Sequence, residues 1–206
     1  MARSKSSSAW LRRHVSDPFV HRAKTQGYRS RSAFKLSEIA DRDRLARPGD
    51  VVVDLGAAPG GWSQALAERV GPSGCVVAVD LLDVAPIPGV IVIRGDFGDV
   101  TVRERVLEAL AGRKPDLVIS DLAPNLSGVR ATDQARSLAL CEAALEFART
   151  HLKPKGSFLV KVFQGAGYAE FLAVMRRTFV EVASRKPAAS RSASSEMYLV
   201  GKGLKP

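Results

Sequence analysis

Short apolar runs rich in β-branched residues recur along the middle of the chain, with longer amphipathic stretches between them. The runs at 51–55, 76–80, 90–94, 117–121 and 158–163 predict strands. Their apolar residues are continuous rather than alternating, which suits strands buried on both faces. The stretches 62–70, 102–111, 133–151 and 168–179 predict helices, two of them closed by Gly71-Pro72 and Pro154-Lys155-Gly156. A further helix is expected from a cap at Ser30 or Ser32, through Ala33, Phe34, Leu36 and Ile39, to about Asp43. Two more strands are expected at 180–185 and 197–201. Strands and helices in this alternation predict an α/β fold, a mostly parallel sheet with helices on both faces. At 206 residues the chain suffices for one good core and is short for two. The expected organisation is a basic N-terminal arm over 1–28 and a single domain over 29–206.

Ligands of such sheets bind beyond the carboxyl ends of the strands, so those ends belong together. The first strand ends near Asp54 and the second at Asp80, the third is followed by Asp96, the fourth ends at Asp121, and the fifth carries Lys161. Four carboxylates and an ammonium stand along one rim, where the acids repel one another unless something binds there. That pattern points to a ligand cleft.

Between the first strand and its helix lies Gly56-Ala-Ala-Pro-Gly-Gly61. Glycine there permits a sharp turn and lets a ligand lie against the main chain. An ordinary strand-to-helix turn would look similar, so the loop alone decides little. The helix begins Gly-Gly-Trp-Ser, without the lysine a phosphate-binding loop requires, and the glycine spacing is not that of a dinucleotide fold. Asp80 is placed to accept hydrogen bonds from ribose hydroxyls, and Asp96 to lie beside an adenine amino group. A nucleoside without a phosphate chain fits these residues better than NAD does.

Charge adds a partner. The net charge is +10, yet residues 1–35 hold nine Lys/Arg against Asp17, and residues 185–206 hold five against Glu196, which leaves the middle at −2. Two basic ends on a near-neutral body suit a polyanion. Trp10, Phe19, Tyr28 and Phe34 interleave with the basic residues of the first end, as expected of side chains that stack on bases. No apolar run approaches the roughly 20 residues of a membrane span, and Cys75, Cys141 and three scattered histidines suggest no metal site.

Several long motifs then carry a resemblance: DLGAAPGGWSQ from Asp54, GYRSRSAFKL from Gly27, GDF from Gly95, SDLAPNLSG from Ser120 and KVFQG from Lys161. From Trp10 onward the chain resembles the bacterial heat-shock-associated 23S ribosomal RNA uridine 2′-O-ribose methyltransferases. The resemblance implies a Rossmann-like class I methyltransferase fold, a seven-stranded sheet with one antiparallel strand near its edge. It implies S-adenosylmethionine as donor and a uridine ribose of 23S rRNA, within the 50S subunit, as acceptor. Family cofactor contacts carry over to Gly60, Trp62, Asp80, Asp96 and Asp121, beside Gly56 of the loop. A Lys–Asp–Lys–Glu catalytic set maps onto Lys35, Asp121, Lys161 and Glu196. One departure is visible: the family usually reads Pro-Met-Asp-Pro after Asp80-Leu-Leu, and this chain reads Asp83-Val-Ala-Pro86.

On this reading Lys161 faces the 2′-hydroxyl as base or orienting group. An ordinary lysine pKa makes the neutral amine cost roughly 4–5 kcal/mol at pH 7, a cost that a neighbouring Lys35 ammonium lowers and that Asp121 and Glu196 raise. The segment Asp121-Leu-Ala-Pro-Asn125 lacks the Asn/Asp-Pro-Pro-aromatic motif of enzymes that methylate exocyclic amines. The remaining alternatives are an rRNA-binding assembly factor and a methyltransferase for another RNA. A cytoplasmic monomer is expected, with RNA bound by the N-terminal arm, Lys35 and the loop 185–191.

Overall fold

The computed structural model describes residues 17–125, 127–190 and 194–206. Trp10, the basic residues Arg3, Lys5, Arg12 and Arg13, and Arg191 lie outside the described residues. Seven strands form one sheet: β1 (Val51–Leu55), β2 (Cys75–Asp80), β3 (Val90–Arg94), β4 (Leu117–Ser120), β5 (Ser157–Phe163), β6 (Phe179–Arg185) and β7 (Glu196–Leu204). Six helices are described: α1 (Pro18–Thr25), α2 (Ser32–Asp43), α3 (Gly61–Val70), α4 (Val100–Leu110), α5 (Arg130–His151) and α6 (Tyr168–Thr178). The strand order is β3-β2-β1-β4-β5-β7-β6. The pairs through β5 are parallel, and β7 runs antiparallel to both β5 and β6.

Alternation along each strand sorts its residues onto two cores. Val51, Val53 and Leu55 of β1 and Val77 and Val79 of β2 face α4, α5 and α6, where Val106, Leu145 and Met175 meet them. Val52, Val76, Ile119 and Leu159 face the other way, against Leu36 and Ile39 of α2 and Trp62 and Leu66 of α3. With both faces covered, β1 is buried at every position, which is why its run is apolar without alternation. Among the described residues no helix is long and apolar enough to cross a membrane.

The predicted strands and helices occur with ends shifted by a few residues. One helix was not anticipated, and one local expectation needs correction. The segment from Pro18 is helical, with Asp17 as its cap accepting from Phe19 N at 3.0 Å and proline in the first turn. Its polar, basic composition concealed the Asp-Pro start signal. In α2 the cap position is held by Arg31, with no side-chain cap bond, and the hydroxyls of Ser30 and Ser32 bond each other.

Candidate active site

The chain leaves β1 toward β2 and β3, then returns by α4 to β4 on the other side of β1. Connections therefore diverge between β1 and β4, and a crevice opens at their carboxyl ends. A cleft of about 780 Å³ lies there, within the usual size of a small-molecule site. Gly56, Asp80, Asp96 and Asp121 all line it. Gly56 has φ +83°, and a Cβ on it would lie 2.7 Å from Leu122 N. Only glycine lets the end of β1 pass so close to the segment after β4.

Short loops hold the carboxylates of the β2 and β3 ends. Asp80 accepts from Ala58 N and Leu82 N, each at 2.8 Å. Asp96 accepts from Gly98 N at 2.8 Å. Each carboxylate oxygen keeps a further lone pair for a ligand donor. Asp83, where the chain departs from the family pattern, turns to Arg94 instead (2.7 Å, both exposed) and does not line the cleft. The segment behind it is held by Arg29, which donates to the carbonyls of Ala85 and Pro86 at 2.6 and 2.7 Å. Gly60 and Trp62 are not among the cleft residues. Gly60 (φ +104°) has no room for a Cβ against Ile87, and the buried Trp62 ring donates to Ser32 O at 2.8 Å.

Beneath the loop is Asp54, fully buried. Ser63 Oγ donates to its Oδ2 at 2.6 Å, while Oδ1 has no partner. Burial pushes its pKa up to about 7 against the Ser63 hydrogen bond, helped by the charges of Asp121 and Asp80.

The acceptor side of the rim is built from side chains. Asp121 directly follows β4, one step beyond the Ser120–Val160 pairing, and so lies beside Lys161 of β5. Lys161 Nζ donates to Asp121 O at 2.7 Å and lies 3.1 Å from its Oδ1. Lys161 pairs with Tyr198 of β7, and Phe163 with Glu196, so Lys161, Tyr198 and Glu196 share one face of the sheet. From α2, Lys35 donates to Glu196 Oε1 at 2.6 Å and to Tyr198 OH at 3.3 Å. The Tyr198 hydroxyl in turn donates to Asp121 Oδ1 at 3.2 Å. The four predicted catalytic residues thus form two ion pairs joined through one phenol. Tyr198, whose ring is wholly buried against Trp62, was not anticipated. Its place two residues after Glu196 in a strand was the available signal. Burial drives its pKa well up, and the charges and hydrogen bonds of Asp121 and Glu196 add to this. For Glu196 burial acts upward too, but the Lys35 charge and hydrogen bond, Ser190 and Lys161 together hold its carboxyl below the ordinary value.

Around this cluster the basic ends fold inward. Ser190 donates to Glu196 Oε1 at 2.9 Å, and Arg31 to Ala189 O at 2.7 Å. Phe34 is buried, with Phe19 and Tyr28 packed on it at 5.9 and 5.7 Å between centroids. These rings anchor α1 and the 186–190 segment, so the expectation that Phe34 stacks on bases is corrected. Arg22, over the Phe34 ring at 4.5 Å, is exposed, as are Lys24 and Lys186.

That strand order, with β7 alone reversed and a nucleoside-sized cleft at the switch point, defines a class I, Rossmann-like methyltransferase. The chain belongs to the FtsJ-like methyltransferases, whose family profile matches residues 28–204. The ribosomal RNA large subunit methyltransferase E of Chromobacterium violaceum is 59% identical over 203 residues, 98% of this chain and 99% of that one. Its namesake in Neisseria meningitidis serogroup C is 56% identical over 97% of both chains. Among solved structures, a putative ribosomal RNA methyltransferase from Plasmodium falciparum matches with a TM-score of 0.77 and 27% identity, covering 86% of this chain and 98% of that one. The fibrillarin of Aeropyrum pernix, with natively bound S-adenosyl-L-methionine, shares the fold at a TM-score of 0.53 and 14% identity, covering 82% of this chain and 75% of the other.

Proposed function

We propose that this protein transfers the methyl group of S-adenosylmethionine to the ribose 2′-hydroxyl of a uridine in 23S rRNA, acting on the 50S subunit as a cytoplasmic monomer. The observation that carries the reading is Lys161, 2.7 Å from Asp121 O and 3.1 Å from its carboxylate, because Asp121 also lines the nucleoside cleft. One residue thereby touches both the donor site and the group that meets the acceptor.

The cleft suits this donor. Asp80 and Asp96 are acceptors for the hydroxyls and amino group of an adenosine, Gly56 admits it against the main chain, and Asp121 complements a positive charge. When bound, S-adenosylmethionine supplies a methyl group already activated by a sulfonium, so that transfer to a hydroxyl is a single in-line displacement. The work left to the protein is alignment and removal of one proton. In the transfer the ribose oxygen would gain the methyl carbon as the carbon–sulfur bond gives its electrons to sulfur, and the hydroxyl proton would pass to Lys161 Nζ as the neutral amine, its ammonium proton having first gone to solvent. Asp121, fixed by Lys161 and Tyr198, orients that lysine. Lys35 and Glu196, paired at 2.6 Å, close the acceptor side.

The test uses purified protein, tritiated S-adenosylmethionine and large subunits from a strain lacking the enzyme. Label that resists alkaline hydrolysis between nucleotides, mapped to one uridine, is expected. Lys161→Ala should bind the cofactor yet transfer nothing measurable. Wild-type turnover by that variant, or label on a base, would overturn the reading.

A further inference from the structure

We infer that Asp54 is a charge-sensing residue beneath the cofactor loop, holding its proton more tightly in the free protein than when the cationic donor is bound, so that it discriminates S-adenosylmethionine from its net-neutral sulfide product. The inference rests on the donor proposed above.

The geometry is unusual for a carboxylate. Asp54 is fully buried at the end of β1, and one of its oxygens has no hydrogen-bond partner. Its other oxygen has a hydroxyl, Ser63 Oγ, and no described Lys, Arg or His forms an ion pair with it. The groups that act on it are Ser63 from the first turn of α3, Asp121 after β4 and Asp80 at the end of β2. An isolated buried carboxylate gives up its charge before it stays ionised in such surroundings. Burial, and then the fields of Asp121 and Asp80, hold Asp54 at about 7.

Asp80 and Asp121 are also two of the acids that line the cleft. A ligand carrying net positive charge there offsets the field of both, and their upward push on Asp54 weakens. The donor carries a sulfonium, an ammonium and a carboxylate, a net charge of +1. The sulfide product has lost the sulfonium charge, and its net charge is zero. Donor binding therefore releases a proton from Asp54, and product binding releases less. After transfer Asp54 regains its proton, which removes an attraction that would otherwise retain the product's site in its charged form. Asp54 touches neither the reacting carbon nor the hydroxyl, so it is a positioning residue that acts through the field of the rim.

Linkage fixes the sign. Between the bound and free pKa values the affinity for the donor rises with pH, and above the free value it is level. On lowering the pH from about 8 to about 5.5, donor affinity should fall by about threefold to tenfold, at most tenfold per unit, with a smaller change for the product. Isothermal calorimetry in buffers of different ionisation enthalpy counts the protons directly. Asp54→Asn should abolish the released proton and flatten the pH profile, and the donor's preference over the product should shrink. The sulfonium makes the amino groups of the two ligands titrate differently, so it is the wild-type-to-variant difference with the same ligand that removes the ligand's own titration. Ser63→Ala provides the second variant: loss of the hydrogen bond that favours the ionised form should move the pH step upward.

If the donor binds with the same proton count and pH profile in the wild type, Asp54→Asn and Ser63→Ala, the inference is overturned while the methyltransferase reading stands. If S-adenosylmethionine does not bind at all, it is the donor assignment that fails.

Discussion

On the β2 and β3 side of the rim, carboxylates are held by backbone amides from their own loops. Asp80 bonds Leu82 N two residues on and Ala58 N across the cofactor loop, and Asp96 bonds Gly98 N. On the β4, β5 and β7 side, they are held by side chains brought from far along the sequence, with Lys35 and Glu196 separated by 161 residues. The first side is preset by local geometry and glycine, as the proposed donor site requires. The second depends on strand register and on the docking of α2, as the proposed acceptor site requires. Binding and reaction should therefore separate cleanly on mutation.

The largest separation is expected from Lys161→Ala. Loss of a positioned acid–base group typically costs about 10²–10⁴ in rate, and donor affinity should stay within about twofold. Single-turnover transfer measured beside equilibrium binding checks both halves. A comparable loss of donor affinity would mean that the two sides are one site in energetic terms. The mirror-image change is Asp80→Ala. It removes an acceptor of charged hydrogen bonds, each worth about 1.5–3 kcal/mol, so donor Kd should weaken by about 10-fold to 100-fold. Turnover at saturating donor should hardly change.

A third change acts on the acceptor side alone. Deletion of residues 2–16 removes Arg3, Lys5, Arg12 and Arg13. RNA affinity should fall about tenfold near physiological salt, and the slope of log K against log salt should flatten by roughly 0.7–0.9 per lost phosphate contact. The cut stops short of α1 because Arg31 pairs with Asp17, and Tyr28 OH bonds Glu68 at 2.9 Å. A cut at residue 28 would disturb that docked layer and confuse RNA binding with stability. Unchanged salt dependence would exclude the arm from phosphate contact.

The same division separates the features that are legible in the sequence from those that are not. The run at 51–55, the glycines after it and the acids at the strand ends are local signals, and each lies where its pattern indicated. The run needs no partner to be recognised, because two covered faces force it to be apolar. Asp121 and Lys161 are placed together on the rim by the strand ends, but Lys35 and Glu196 join them only through the motif resemblance. Nothing local says that residue 35 faces residue 196, since that contact is set by the β5–β7 register and by α2 lying over β7. Tyr198 was missed for a related reason: an aromatic in an apolar strand reads as core, and its ring is indeed core. Its hydroxyl has a second role that only the two neighbouring ion pairs disclose. Phe34 of the N-terminal end departs in the opposite direction. Interleaved with cations it suggests a stacking side chain, but it has more to gain from burial against Phe19, Tyr28 and Ala189.

The subtlest test concerns the join between the two ion pairs, through Tyr198→Phe. The hydroxyl accepts from Lys35 at 3.3 Å and donates to Asp121 at 3.2 Å, both longer than the 2.7 Å bond from Lys161 to Asp121 O. Long bonds of this kind contribute about 0.5–1.5 kcal/mol each, so transfer should slow by only about threefold to tenfold. The ring, which fills space against Trp62, is preserved, and donor affinity should not move. An unchanged rate would mean that Lys161–Asp121 and Lys35–Glu196 act as independent pairs which merely share a wall. A loss as deep as that of Lys161→Ala would mean that the phenol holds the lysine in its working position, making the acceptor side a single unit whose weakest bonds decide its geometry.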